Sequence, residues 1–239
     1  MPPQRTKRNR ASEKARVSTK SPRVRKSVAE YNPNSPFKQV ANPTLSEHKV
    51  PLADADVYYI PELFSIQVAK DWYKELAKLS TWYRPTLKVY GRPVVQSREI
   101  AAYANDPNLR HKYSGTIVDM HTDYPPVISS IQTLVEEKLG VQFNHVMLNR
   151  YDSGEVYIGL HSDTLENKVI ATVSLGAERT FIMRHRTIKG DQGKRKWILG
   201  NGSMFVMQGD TQQFWKHEIP KEPKVKDGRI SLTFRQLVY

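Results

Sequence analysis

From residue 142 to residue 237 the chain is written in period two. Segments 142–151, 156–161, 169–175, 179–185, 196–199, 203–208, 213–218 and 229–237 alternate or run apolar, separated by turn signals such as Asp152-Ser153-Gly154, Gly200-Asn201-Gly202 and Asp227-Gly228. Side chains two apart on a strand share a face, so each segment offers one face to a core and another to something else. Eight short strands spaced by about 8–12 residues predict a sandwich or jelly roll rather than a parallel sheet with crossover helices.

The first half reads differently. Val57-Tyr58-Tyr59-Ile60 predicts a short strand, and Pro61 opens a helix through about Leu79, with Phe64, Val68, Trp72, Leu76 and Leu79 forming its core face. A second helix is expected over Pro126–Leu139, with Ile128, Ile131, Leu134, Val135 and Leu139 on one side and Gly140 suited to a left-handed exit. Between the helices, residues 82–120 hold short aromatic and basic pieces with no sustained period. The fold class is therefore α+β. No internal repeat is present.

Residues 1–50 carry twelve Lys and Arg against three acids, which is +9 of the formal +13 of the 239-residue chain. The segment has many Ser, Pro and Asn and few aromatic or branched residues. It cannot bury enough apolar surface to offset the entropy of ordering, and it reads as a disordered basic arm. Such an arm serves as a nuclear import signal, attracts a polyanion by counterion release, or is a merely solvated tail. Residues 51–239 are then one sizeable domain. No apolar run approaches the length of a membrane span, and no membrane partner is expected. The absence of cysteine excludes disulfides, thiolate metal sites and Cys nucleophiles, and fits an intracellular protein.

The chemistry is concentrated in His161-Ser162-Asp163. In extended chain His161 and Asp163 point the same way while Ser162 points elsewhere, so both reach one metal from a single strand end. A third ligand must come from another strand, and His217, 54 positions after Asp163, is the best candidate because it follows Phe214-Trp215 and precedes the Arg-bearing last strand. Two imidazoles and one carboxylate suit octahedral iron(II) with one face open, whereas a closed structural zinc site takes four protein ligands.

In the last strand Arg229, Ser231, Thr233 and Arg235 share one face, and Ile230, Leu232 and Phe234 share the other. With the apolar face packed between sheets, the polar face looks into the barrel interior; the alternative is two arginines on an exposed sheet face. Inward guanidiniums are costly without an anion, and their planar forks suit carboxylates, which implies a small dicarboxylate ligand. Asn149 and Tyr151, again two apart, offer an amide and a phenol to the same ligand, or else a strand-end amide and a packed ring.

Taken in order, Asn149-Arg150-Tyr151, His161-Ser162-Asp163, the run from Val173 to Phe181, His217 and the strand from Arg229 to Arg235 resemble the AlkB family of iron(II)/2-oxoglutarate-dependent dioxygenases, over about residues 82–239. The resemblance implies a double-stranded β-helix (jelly-roll) core with supporting helices and a nucleotide-recognition lid over about 82–120. It implies iron(II) ligated by His161, Asp163 and His217, and 2-oxoglutarate held by Asn149, Tyr151, Arg229 and Arg235, with O2 as the third reactant. The implied reaction is oxidative dealkylation of an N-methylated base in DNA, with RNA as an alternative. Its products are succinate, CO2 and formaldehyde.

A base inside a duplex is out of reach of such a site, so it must be flipped or single-stranded, and stacking groups are expected at the mouth. The resemblance places Tyr90, Tyr103, Tyr113, Ser114 and Gly115 there, with Tyr90 at the position of an aromatic wedge. Lys88, Arg92, Arg98 and Arg110 are candidates for phosphates, surface charge being the alternative. Two departures stand out: relatives acting on methylated adenine and cytosine often continue H-x-D with two acids, where this chain has Thr164-Leu165, and Ser231 stands where Asn is common. The expected protein is a nuclear monomeric DNA-repair enzyme acting on nucleic acid. An oxygenase for RNA, protein or a small molecule is the alternative, and a non-catalytic nucleic-acid binding module is the third reading.

Overall fold

The period-two half folds into two antiparallel sheets that face each other. The computed structural model describes residues 43–89, 92–109, 112–113 and 116–237, and these belong to one compact unit. A 3₁₀ segment, Pro43–His48, leads into β1 (Lys49–Val50), β2 (Asp56–Ile60) and helix α1 (Ile66–Leu76). The hairpin of β3 (Thr86–Val89) and β4 (Arg92–Val95) follows, then β5 (Glu99–Ala104), the short pair β6 (Lys112–Tyr113) and β7 (Thr116–Ile117), and helix α2 (Pro126–Leu139). The second half contains β8 (His145–Tyr151), β9 (Ile158–His161), β10 (Asn167–Gly176), β11 (Arg179–His185), β12 (Lys194–Leu199) and β13 (Ser203–Gln208). A one-turn helix α3 (Thr211–Phe214), β14 (Trp215–Ile219) and β15 (Arg229–Leu237) complete it.

The larger sheet has the order β1-β2-β13-β10-β15-β8-β5 and the smaller one β12-β11-β14-β9. Sequence neighbours are often not sheet neighbours, and successive strands pass from one sheet to the other, as in a jelly roll. The strand expectations hold for β11, β13 and β15 to the residue, and α2 runs over its expected span with Gly140 left-handed at φ 68°. The segment expected as strand over 213–218 begins instead with α3, so β14 starts at Trp215.

Each face of the larger sheet has its own core. Ile230, Leu232 and Phe234 of β15 join Val173 and Leu175 of β10, Val127, Ile128, Ile131, Val135 and Leu139 of α2, and Ala69 and Leu76 of α1. The apolar face of β15 thus lies under the helices rather than between the sheets, where it was expected. The polar face takes the space between the sheets. Burying each of these Leu, Ile and Phe side chains contributes about 1.5–3 kcal/mol. The second core, between the sheets, holds Tyr151, Ile170, Phe181, Met183, Phe205, Met207 and Trp215.

Differences from the sequence reading are larger in the first half of the chain. Residues 43–50 belong to the fold rather than to an arm, because Leu45 is fully buried and β1 pairs with β2. Helix α1 starts at Ile66 instead of Pro61: Ser65 Oγ accepts from Val68 N at 3.4 Å as the N-cap, while Leu63 N and Phe64 N are held by Gly202 O at 2.9 and 3.2 Å. Val68, expected in the core, is 40 % exposed, and Phe64 packs edge-on against Trp72 instead. Within the expected lid, β5 is the edge strand of the larger sheet, paired with β8. Its Glu-Ile-Ala-Ala-Tyr-Ala sequence is buried on both faces, and alanine is a poor strand former, which hides the period.

Candidate active site

The polar face of β15 and the facing strands of the smaller sheet enclose a cavity of about 60 Å³. His161, Asp163, His217, Asn149, Tyr151, Arg229 and Arg235 all line it, together with Thr172, Phe181, Ser231 and Thr233. His161 is the last residue of β9 and His217 sits opposite it on β14 as its register partner. Ligand atoms of His161, Asp163 and His217 lie within 4.8 Å of one another. One strand pairing and one step along the chain therefore assemble the triad.

The segment carrying Asp163 is held from below. Ser162 Oγ donates to Trp215 O at 3.1 Å, Arg186 Nη2 donates to Ser162 Oγ at 2.8 Å, and Asp163 N donates to Gln212 Oε1 at 2.9 Å. Ser162 thus points away from the cavity, as alternation requires. His161 Nδ1 lies 2.8 Å from Gly159 O. A carbonyl only accepts, so Nδ1 carries the proton and Nε2 carries the lone pair that a metal needs.

The protonation states suit a cation. Burial pushes His217 down to about 3, reinforced by the neighbouring His161. Burial also lowers His161, against the pull of Asp163. Burial alone would raise Asp163, yet Arg235, His217 and His161 outweigh it and hold the carboxyl well below the usual carboxylate range. Near neutral pH the site therefore presents two neutral imidazoles and one carboxylate.

The arginines supply the second half of the site. Arg229 is 1 % exposed; its Nη2 donates to Ser174 Oγ at 2.8 Å, and its guanidinium carbon lies 5.2 Å from the centre of the Tyr151 ring. Burial lowers its pKa from the ordinary arginine value. Arg235 reaches Asp163 through Nη2 at 3.3 Å. In both side chains Nε and Nη1 meet no hydrogen-bond acceptor among the described residues. Buried guanidinium donors left in this state cost stability unless an anion satisfies them, and two forks lining one cavity fit a diacid.

Several residues here were not legible as site residues. Thr172 and Ser174 on β10 face Thr233 and Ser231 on β15 in register, a polar i, i+2 pattern within an apolar strand that could have been read beside that of β15. Arg98, expected at a phosphate on the surface, is 1 % exposed, and its Nε donates to Asn149 Oδ1 at 2.9 Å. Gln212 carried no signal, since α3 is too short to have a period.

The substrate side corrects one expectation. Tyr103 is 1 % exposed inside the helix-side core, with its hydroxyl 2.7 Å from Thr81 Oγ1, and is no part of the cavity. It sits on the face of β5 that the helices cover. Tyr90, Gly91, Arg110, Ser114 and Gly115 lie outside the described residues, as do residues 1–42, and Tyr113 is described in its backbone only. Arg92 is exposed.

Residues 56–235 match the family model of the 2OG-Fe(II) oxygenase superfamily. The chain is 31 % identical over 188 residues to DNA oxidative demethylase ALKBH2 of Homo sapiens, covering 74 % of this chain and 71 % of that protein. The chain belongs to the AlkB family of 2OG-Fe(II) oxygenases. A second AlkB relative, DNA oxidative demethylase ALKBH2 of Arabidopsis thaliana, is 31 % identical over 209 residues, covering 76 % of this chain and 66 % of the relative. Alpha-ketoglutarate-dependent dioxygenase alkB homolog 3 of Bos taurus is 28 % identical over 195 residues, covering 77 % and 67 %. Among solved structures OsALKBH1 superposes with a TM-score of 0.52 at 15 % identity, covering 75 % of this chain and 97 % of that one, a likeness of fold. As an AlkB member the chain is an Fe(II)/2-oxoglutarate-dependent dioxygenase using iron(II), 2-oxoglutarate and O2.

Proposed function

We propose that the chain removes N-linked methyl groups from bases in DNA as an alkylation-damage repair enzyme. The observation that carries this reading is the convergence, in one cavity between the sheets, of the His161-Asp163-His217 cluster with the unsatisfied donors of Arg229 and Arg235. The relatives named as DNA oxidative demethylases supply the substrate class.

The residues divide the work. His161, Asp163 and His217 hold iron(II), with Gly159 O fixing the ring of His161 and Gln212 fixing the backbone of Asp163. Arg229 and Arg235 take carboxylates of 2-oxoglutarate, and Asn149 and Tyr151 complete its hydrogen bonds and stacking. Phe181, Phe205, Ile158 and Leu199 keep the cavity wall apolar, which excludes water from the reacting centre. The chemistry supplied with iron, diacid and dioxygen bound is oxidation of an N-methyl group coupled to decarboxylation of the diacid; the hydroxymethyl product then loses formaldehyde. No protein nucleophile is required.

Residues 1–42 are assigned to polyanion contact and nuclear import, on their charge alone. Among the described residues no helix is long and apolar enough to cross a membrane. The protein is proposed to act as a monomer, which its elution with light scattering checks.

The deciding assay incubates the purified chain with iron(II), 2-oxoglutarate and matched DNA and RNA oligonucleotides, single-stranded and duplex, carrying 1-methyladenine or 3-methylcytosine. Expected is formaldehyde release equal to succinate formed, greatest on DNA. Turnover of 2-oxoglutarate with neither base repaired would overturn the lesion assignment, which Thr164-Leu165 beside the metal cluster makes the point most worth measuring. Reporter protein fused to residues 1–42 tests the import role.

A further inference from the structure

Two guanidiniums flank the Tyr151 ring, and the fold treats them in opposite ways. The guanidinium carbon of Arg229 lies 5.2 Å from the ring centre and that of Arg179 lies 5.5 Å away, both within cation–π range. Arg229 keeps two nitrogens without an acceptor among the described residues. Arg179, equally buried at 1 % exposure, is satisfied at every nitrogen. Its Nε donates to Glu222 Oε2 at 3.0 Å, its Nη1 to Ser153 O at 3.2 Å, and its Nη2 to Val156 O at 2.9 Å and Pro220 O at 2.7 Å. A buried cation bonded to protein at each of its three nitrogens is placed to hold protein rather than ligand.

What it holds is specific. Ser153 and Val156 lie in the segment that joins Tyr151 to β9 and so to His161. Pro220 and Glu222 follow directly on β14, which carries His217. The two segments are also joined through backbone, by Glu222 N to Gly154 O at 2.8 Å and Gly154 N to Val225 O at 2.9 Å. A Cβ at Gly154 would collide with the carbonyl of Glu222, so the close approach requires glycine there. Glu222 accepts further bonds from Thr180 N at 2.9 Å and Thr180 Oγ1 at 2.6 Å. These bonds and Arg179 hold its carboxyl below the usual range although burial opposes them.

We propose that Arg179 and Glu222 are positioning residues for the 2-oxoglutarate pocket: Arg179 braces the Tyr151 ring and the exits of β8 and β14, and Glu222 cancels its charge so that Arg229 alone presents a net cation to the diacid on that side. The proposal rests on the cosubstrate assignment of Tyr151 and Arg229 made above. Neither residue lines the cavity, and Arg179 reaches the metal-ligand strands only through carbonyls of Ser153, Val156 and Pro220 outside β9 and β14, whereas it lies directly against the Tyr151 ring, so the larger effect is expected on the diacid.

The test is calorimetric binding of 2-oxoglutarate to the full chain loaded with manganese(II), with manganese(II) affinity measured separately, for wild type, Arg179→Lys and Glu222→Gln. Lysine keeps the charge but cannot make four bonds in a fixed fork, so Arg179→Lys is expected to weaken diacid binding about ten-fold and leave metal affinity within about two-fold. Glu222→Gln leaves the buried cation uncancelled and is expected to tighten diacid binding at low salt, the opposite sign, which simple loosening of the fold would not produce. Diacid binding to Arg179→Lys within about two-fold of wild type, or a parallel fall in metal affinity, overturns the proposal. Should Arg179→Lys fail to fold, the sign of Glu222→Gln decides: tighter supports it, equal or weaker overturns it. A wild-type protein that binds manganese(II) but no 2-oxoglutarate would instead overturn the cosubstrate assignment, and the inference with it.

Discussion

Asp163 meets Arg235 across the cavity, with Nη2 of the arginine 3.3 Å from each carboxylate oxygen. The carboxylate assigned to the metal and a guanidinium assigned to the cosubstrate are thereby one ion pair, buried to 6 % and 5 % exposure. Breaking a buried pair leaves an uncompensated charge, so the two halves of the site cannot be altered independently at this point.

Arg235→Met is therefore expected to impair both functions: affinity for manganese(II) or cobalt(II) and the KM for 2-oxoglutarate each worsen by about 10–100-fold. Arg229→Met, whose guanidinium touches Ser174 and Tyr151 but no metal ligand, is expected to raise the KM while leaving metal affinity intact. Equilibrium metal titrations beside cosubstrate kinetics check the contrast. Equal metal affinity in Arg235→Met and wild type would contradict it.

Stability of the metal-free protein is expected to fall as pH drops from 7 to 5. His161 and His217 have folded pKa values below the ordinary histidine value, His217 at about 3. The unfolded chain therefore binds protons first on acidification, below about pH 6.5, and the folded state loses ground until pH approaches the folded values. At pH 5 His217 alone costs about 2 kcal/mol, and His161 adds to the loss in the same direction. Asp163, lowered in the fold, adds its own loss only below the ordinary carboxylate range. Thermal melts of wild type and His217→Phe across this range measure the effect, and the variant should show a shallower fall.

Gln212→Leu removes the acceptor of Asp163 N and leaves a buried donor unmet, at a cost of about 1–3 kcal/mol. Metal affinity should fall with it, because the carboxylate loses its backbone anchor. Gln212→Glu, which restores an acceptor, should recover most of the metal affinity.

Tyr103→Phe should cost about 1 kcal/mol of stability through the lost bond to Thr81 and leave turnover on methylated DNA unchanged. A large loss of activity with unchanged stability would return Tyr103 to the substrate side.

Deleting residues 1–42 should weaken binding to long DNA and make it less salt-dependent, by about 0.9 in the log–log slope for each phosphate that the arm no longer neutralises. Turnover of a methylated mononucleoside should not change, since the residues assigned to metal and cosubstrate all lie between Asn149 and Arg235.

Much of the core was legible because period two survives wherever one strand face meets apolar partners and the other does not. In β15 the alternation of Ile230, Leu232 and Phe234 with Arg229, Ser231, Thr233 and Arg235 declared both faces, and the H-x-D spacing declared that two ligands share a direction. Elsewhere the local pattern was silent. Tyr103 looked like a stacking group because β5 has no period, and only its pairing with β8 places the ring under the helices. Arg98 looked like a phosphate contact or surface charge, and Arg179 carried no sign of burial; both are buried against acceptors supplied by Asn149 and Glu222, 51 and 43 residues away in sequence.

The sequence by itself determined which side chains share a face, and hence the strands, the second helix and the candidate ligands, because alternation and capping are properties of neighbours along the chain. Tertiary structure alone decided that His217 lies opposite His161, that Asp163 pairs with Arg235, and that buried Arg229 keeps two nitrogens without an acceptor among the described residues while buried Arg179 is bonded to protein at each nitrogen. Those outcomes depend on register between distant strands, which sets distances that no local pattern encodes.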